Sequence, residues 1–245
     1  MSRRAVILHR LFKAEDTVVR ERLQHFSCTW RIIGTWLLDS RGALMAVIVI
    51  GGHSRKVGKT SVVAGIIASL PEYRWSAFKI TQHGHGLGST GVKAPWEISQ
   101  ETDRSGGSDT SRFLAAGAER AFWVQTEPNH LAEAMPMVQC KLAESKNAIV
   151  ESNSVLRFLK PDLYLVVIDP GVADFKPSAQ ELLDRADAVI LHCKPGQAHE
   201  QWITTLPKPM AGRTVFPIKP PEYVTAEIIA FVRARLIARN SAVGV

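Results

Sequence analysis

The sequence predicts an α/β fold: a mainly parallel sheet with helices on both faces. Three observations lead there. Apolar runs such as residues 46–50, 163–168 and 188–193 read as strands buried on both sides. Helical patterns separate them, as expected when parallel strands are joined by crossover helices. A glycine-bearing loop, Gly51-Gly52-His53-Ser54-Arg55-Lys56-Val57-Gly58-Lys59-Thr60-Ser61, stands between the first strand and a helix-like segment over residues 62–70. Such a strand, Gly-Lys-Thr loop and helix cradle phosphate. The loop amides and helix N-terminus face the anion, Lys59 adds a full charge, and the Thr60 hydroxyl reaches Mg²⁺. The spacing has one irregularity: His53 stands where the first glycine is usual, and Gly52 lies one residue earlier.

The elements follow in order. Residues 74–81 read as a second strand ending on polar side chains, with Lys79 near its end. Residues 82–107 hold six glycines and many polar residues, and predict a long loop of the functional or mobile kind. Ser108-Asp109-Thr110 is a helix N-cap signal for a short helix ending near Gly117. Residues 121–126 form a short strand. Residues 131–145 form a helix with Leu131, Met135, Val138 and Leu142 on its apolar face. A strand over 148–151 ends on Glu151. Residues 163–168 are a buried strand before Asp169-Pro170-Gly171, residues 178–185 a helix, and 188–193 another buried strand. Thr214-Val215-Phe216 leads into a proline-rich segment, and residues 224–238 close the chain as an amphipathic helix. There is no internal repeat and no low-complexity tract.

Composition bounds the function. At 245 residues with 46% hydrophobic content, the chain can bury a substantial core. No apolar run approaches the roughly 20 residues that span a bilayer, and the apolar stretch near the start is too short for a signal peptide. Cys28, Cys140 and Cys193 are dispersed and odd in number, which argues for reduced thiols in a cytoplasm rather than a disulfide framework or zinc ribbon. The net charge is +7, but residues 1–44 hold eight Arg/Lys against four Asp/Glu, so +4 of it sits there. The remainder is mildly basic without a basic run interleaved with aromatics, which makes nucleic acid an unlikely partner. Residues 1–44 precede the first strand of the nucleotide fold and Met45 stands just before it. Two domains of the chain are expected: an extension over 1–44, peripheral or preceding a true start at Met45, and a nucleotide-binding domain over 45–245.

Ligands on such a sheet gather at the carboxyl ends of the strands, so polar residues there are the site candidates. Lys59 neutralises phosphate charge and Thr60 serves the metal. Glu151, after apolar residues, is suited to Mg²⁺ or a metal-bound water, with capping of Ser152-Asn153-Ser154 as its plain role. Asp109 is a metal ligand or a helix cap. Asp169 is a weaker candidate within an ordinary Asp-Pro-Gly turn. Lys79 suits a phosphate or a substrate carboxylate, or a surface ion pair. His53, His83 and His85 lie near one edge, where three histidines suit a transition metal, but no acid or cysteine stands at ligand spacing.

These residues resemble two known families. Gly52 to Thr60 has the glycine spacing and Val-Gly-Lys-Thr ending of dethiobiotin synthetase, which also has a lysine ending the second strand (Lys79), a Ser-Asp opening a helix (Ser108-Asp109) and a strand-end glutamate (Glu151). That resemblance implies Mg²⁺ held by Asp109 and Glu151. Lys79-Ile80-Thr81-Gln82-His83 is similar to a Lys-His-Thr-His-His segment of the adapter protein of molybdopterin-guanine dinucleotide biosynthesis, and residues 108–118 resemble its Asp-Ser…Ala-Gly-Ala helix. The matches cover roughly residues 45 to 155, and both families imply the P-loop NTPase fold. Three departures stand out. Ser152-Asn153-Ser154 replaces the glycine after the strand-end Glu, and Gln82 replaces one histidine of the pair. His192-Cys193-Lys194-Pro195 stands in place of an Asn-Lys-x-Asp guanine motif, with Lys194 and the Phe216-Pro217 segment expected near a base.

The expected function is therefore binding or hydrolysis of ATP or GTP with Mg²⁺, coupled to a small-molecule or protein partner of cofactor biosynthesis. Lys59, Lys79 and Glu151 are the catalytic candidates, and Thr60, Asp109 and Glu151 the metal ligands. Gly52, His53, Ser54, Arg55, Lys56, Val57, Gly58, Lys59, Thr60, Ser61, Lys194 and Pro217 are the nucleotide contacts. Two alternatives stand beside it: an ATP-dependent small-molecule kinase or ligase of the dethiobiotin synthetase type, and a nucleotide-gated binding module without turnover. A homodimer is left open.

Overall fold

The computed structural model describes residues 45–82, 95–193 and 212–241. Eight strands form one sheet: β1 (Ala46–Gly52), β2 (Trp75–Gln82), β3 (Trp96–Gln100), β4 (Arg120–Thr126), β5 (Asn147–Glu151), β6 (Leu163–Ile168), β7 (Ala188–His192) and β8 (Thr214–Ile218). Their spatial order is β3-β4-β2-β5-β1-β6-β7-β8. Every neighbouring pair is parallel except the edge pair β3–β4. The helices are α1 (Lys59–Ser69), α2 (Asp109–Ala115), α3 (Leu131–Ala143), α4 (Pro177–Leu182) and α5 (Ala226–Ser241).

Strand alternation divides the core. In β1, Ile48 and Ile50 point to one face, where Val62, Val63, Ile66 and Ile67 of α1 meet Ile228 and Val232 of α5. Val47 and Val49 point to the other, against Leu131, Met135 and Val138 of α3 and Leu182 of α4. Both faces of β1 are thus buried, which explains its continuous apolar reading.

One expectation is corrected. The span 82–107 is not all loop, because it contains β3. Trp96-Glu97-Ile98-Ser99-Gln100 alternates with a period of two and pairs antiparallel with β4, Ile98 opposite Val124. Its polar residues are tolerated because β3 is an edge strand. At the other edge, β8 runs through Pro217, where a proline costs no central ladder bond. Residues 83–94 lie outside the described residues, as do residues 1–44.

Registers place the chemistry. Glu151, the last residue of β5, pairs with Ile50 of β1 on one side and Lys79 of β2 on the other. The phosphate loop leaves β1 at this same edge.

Candidate functional site

The loop between β1 and α1 has the geometry expected of an anion cradle. Lys56 and Gly58 both take positive φ, 58° and 87°, and Gly58 is the left-handed N-cap of α1. A side chain at Gly58 would meet the Tyr223 ring at 2.4 Å. Glycine is thus required there twice over, by conformation and by space. Val57 is buried as an anchor, whereas Arg55 and Lys56 are exposed.

The predicted charged residues converge. Lys59 Nζ donates to the Ser54 carbonyl at 2.6 Å. Thr60 Oγ1 donates to Glu151 Oε2 at 2.8 Å. Lys79 Nζ lies 2.9 Å from Glu151 Oε1 and 2.5 Å from Asp109 Oδ2. Burial pushes the Lys59 ammonium down to about 8; Glu151 opposes this, while Lys176 and Lys79 add to it. Burial also works against charged Lys79, but Glu151 and Asp109 outweigh it and its pKa lies above the ordinary lysine value. Asp109 is held below the usual carboxylate range: Lys79 overcomes the desolvation that acts the other way.

Asp109 owes its position to a polar web. The N-cap of α2 is Ser108, whose Oγ accepts from Ser111 N–H at 3.0 Å. Glu101 accepts from Ser108 Oγ at 2.9 Å and Thr110 Oγ1 at 2.8 Å. Asp109 is the next residue and is free to face Lys79. From the same helix Arg112 Nη2 reaches Ser61 Oγ at 3.0 Å, tying α2 to α1.

Thr60, Asp109 and Glu151 fit a hard divalent cation. One hydroxyl and two carboxylates, drawn together around Lys79, are oxygen donors of the kind Mg²⁺ takes alongside water and phosphate oxygens. A transition-metal site is a different matter. His83 and His85 lie outside the described residues, and among the described residues no group of three or more His, Cys, Asp or Glu could hold a metal ion.

His53 departs from the expectation that it faces phosphate. Its Nε2 donates to the Val172 carbonyl at 3.0 Å, and its Nδ1 accepts from Asp169 N–H at 3.5 Å. Its backbone N–H donates to Val167 and its carbonyl accepts from Lys176 N–H, at 3.2 and 2.8 Å. Every polar group of His53 is committed to protein, its ring lies against Phe175, and it is 2% exposed. The residue braces the loop instead of lining the site. Asp169 is taken up by its own turn, accepting from Gly171 N–H at 2.8 Å, and lies 3.7 Å from His192 Nδ1.

Sequence reasoning gave Asn153 a place in an acceptor pocket and did not find Tyr223 or Lys176. Asn153 donates to the Gly52 carbonyl at 2.8 Å and accepts from Gly52 N–H at 2.9 Å. Tyr223 packs on Gly58 and edge-on to His192, 5.8 Å between ring centroids. Lys176 enters from the β6–α4 connection. Lys194 lies outside the described residues. Pro217 is exposed on β8 and Phe216 packs inward against Phe231, so neither borders the cavity described next.

That cavity, of about 780 Å³, is floored by Gly58, Lys59, Thr60 and Ser61. Lys79, Asp109 and Arg112 form one wall; Lys176 and Tyr223 belong to others, and Ile80, Thr81 and Gln82 extend it past the phosphate loop. Its volume lies within the usual range for small-molecule and cofactor sites.

No family model matches the chain, and no curated protein matches it. Several solved structures do. LpxK from Aquifex aeolicus, solved in complex with ATP, is 19% identical with a TM-score of 0.43, covering 71% of this chain and 53% of that one. This chain therefore spans about half the length of LpxK. HypB from Helicobacter pylori, solved in complex with nickel, is 14% identical with a TM-score of 0.44, covering 81% and 88%. MobB from Bacillus subtilis is 16% identical with a TM-score of 0.31, covering 77% and 96%. The mostly parallel sheet with helices on both faces, and a Gly-Lys-Thr loop joining its central strand to α1, give this chain the P-loop NTPase α/β fold.

Proposed function

We propose that the chain binds a nucleoside triphosphate with Mg²⁺ at the β1–α1 loop and hydrolyses it or couples its binding to a partner. One observation carries this reading: Lys59, Thr60, Lys79, Asp109 and Glu151, from four separate elements, meet at one end of one cavity above the loop. A folded protein does not gather so many partly buried charges without a ligand or a network to satisfy them. Lys59, whose ammonium among the described residues is bonded to a backbone carbonyl and to no carboxylate, supplies charge to the phosphates. Lys79 is already paired by two carboxylates, so its part is to hold Asp109 and Glu151 in place. Bound Mg²⁺, held by Thr60, Asp109 and Glu151, would neutralise phosphate charge. The protein's own contribution is positioning and preorganised charge.

The pathway assignment rests on the resemblance of residues 79–83 and 108–118 to the molybdopterin-guanine dinucleotide adapter. We place the chain in that branch, as a cytoplasmic protein coupling nucleotide use to a cofactor-biosynthesis partner. Nucleic acid is not among the proposed partners. Among the described residues no helix is long and apolar enough to cross a membrane. A kinase or ligase reading is favoured by one feature: the cavity continues past the phosphate loop along Ile80, Thr81 and Gln82, which leaves room for an acceptor.

Turnover decides among these. Mg²⁺-dependent release of inorganic phosphate from ATP and from GTP is expected for the wild type. In Glu151→Gln, which keeps the shape but removes the charge, turnover is expected to fall by roughly a hundredfold or more. Phosphate release independent of Mg²⁺ and unchanged in Glu151→Gln would overturn the hydrolase reading. Tight binding without turnover would leave the nucleotide-gated module, and ADP release that requires an added small molecule would establish the kinase or ligase.

A further inference from the structure

The connection between β6 and α4 is mounted directly on the phosphate loop. His53 Nε2 donates to the Val172 carbonyl at 3.0 Å, and Lys176 N–H donates to the His53 carbonyl at 2.8 Å. Ser54 Oγ donates to Asp174 Oδ2 at 2.7 Å, and the Phe175 ring packs on His53. His53 and Ser54 are both 2% exposed, so these bonds are made away from competing water. Segments about 120 residues apart in sequence are thereby fixed to each other, and the backbone of Lys176 is held at the rim of the nucleotide cavity, which its side chain helps to line.

The ammonium of Lys176 differs from that of Lys79 in one decisive respect. Lys79 is neutralised by Asp109 and Glu151. Among the described residues, no ion pair joins Lys176 to a carboxylate. It is half-buried, and burial, reinforced by the Arg55 charge, holds its pKa below the ordinary lysine value. Asp174 and Glu151 oppose this in part, Lys79 adds to it, and the charge of Lys176 is felt at Lys59 in turn. Lys176 lines the same cavity as Lys59 and Glu151, where a Gly-Lys-Thr loop sets the β- and γ-phosphates. Lys59 and Lys176, neither of them ion-paired to a carboxylate among the described residues, leave counter-charge for an anionic ligand to supply there.

We propose that Lys176 is a second phosphate-binding lysine, delivered from the β6–α4 connection, which contacts the terminal phosphate and so distinguishes nucleoside triphosphate from diphosphate. His53 and Asp174 act as positioning residues that hold it on the loop. This inference rests on the phosphate reading of the same cavity. It adds that recognition of the terminal phosphate depends on a segment outside the strand–loop–helix motif.

The test is calorimetric titration of the full chain with Mg²⁺-ATP and Mg²⁺-ADP, and with the guanine pair, in wild type, Lys176→Gln and Lys176→Arg. Loss of one charged hydrogen bond predicts that Lys176→Gln weakens triphosphate binding roughly ten- to a hundredfold, leaves diphosphate binding within about twofold, and that Lys176→Arg restores most of the loss. Equal weakening of triphosphate and diphosphate, or no weakening of either, overturns the role of Lys176 while leaving the phosphate site intact. A wild-type chain that binds neither nucleotide overturns the phosphate reading itself, and this inference with it.

Discussion

The side-chain amide of Asn153 clasps residue Gly52 at both ends, accepting from its N–H at 2.9 Å and donating to its carbonyl at 2.8 Å. The end of β1 is thereby locked to the residue that follows the β5 carboxylate by two positions. Asn153 lies one residue beyond Ser152, which stands where the two families this chain resembles carry glycine, and its amide does structural work at the base of the phosphate loop. Asn153→Ala leaves two buried backbone groups unpaired and is expected to cost about 1–3 kcal/mol in denaturant unfolding. Asn153→Asp keeps the acceptor but sets a carboxylate oxygen against the Gly52 carbonyl, so it is expected to be no better than alanine. An Asn153→Ala variant as stable as wild type would show that the clasp contributes nothing.

Gly58 and Tyr223 make a second coupled pair. Gly58→Ala combines a left-handed backbone with a contact of 2.4 Å to the ring. The conformational part alone costs about 1–2 kcal/mol, and the ring contact adds to it. A double-mutant cycle separates the two: Tyr223→Ala should recover the contact share in the Gly58→Ala background but not the conformational share. Full recovery, or none, would contradict this division.

Lys59 gives a pH signature of defined sign. Burial lowers its pKa from 10.5 to about 8 in the free protein. The unfolded chain therefore holds the extra proton between those values, and stability should rise with pH across that window. Below pH 8 the buried charge is a fixed cost. Phosphate raises the Lys59 pKa, so binding takes up a proton above pH 8. Nucleotide affinity should be flat below that pH and should then fall by up to about tenfold per pH unit. Titrations in buffers of different ionisation heats measure the proton uptake directly. In Lys59→Met the component due to this residue should vanish, leaving whatever part belongs to Lys176, whose pKa is lowered in the same sense.

The parts of the site that sequence made legible are those with a local signature. Lys59 and Thr60 stand in a Gly-Lys-Thr between an apolar run and a helix; Glu151 closes β5, and Lys79 stands three residues before the end of β2, in strands whose burial shows in their apolar residues. Ser108 announced the start of α2, and with it Asp109. What escaped was tertiary. His53 reads as a loop histidine open to solvent or ligand, and only the β6–α4 connection, folded over it from more than 110 residues away, turns it inward. The same fold-over delivers Lys176, which in sequence is an unremarked lysine before a proline. Tyr223 approaches Gly58 only because α5 packs on the α1 face of the sheet. β3 carried a period-two signal, but five residues inside a polar, glycine-rich span read as loop until β4 is seen to pair with them.

The central claim is that the cavity above α1 binds the phosphates of a nucleotide through Lys59. Its most direct test is the Mg²⁺-dependent affinity of wild type and Lys59→Ala for ATP and GTP, measured side by side at pH 7. Removing a charged hydrogen-bond donor from the phosphates predicts saturable wild-type binding that weakens at least about tenfold in the variant while the variant remains folded. Equal affinity in a folded Lys59→Ala would contradict the account.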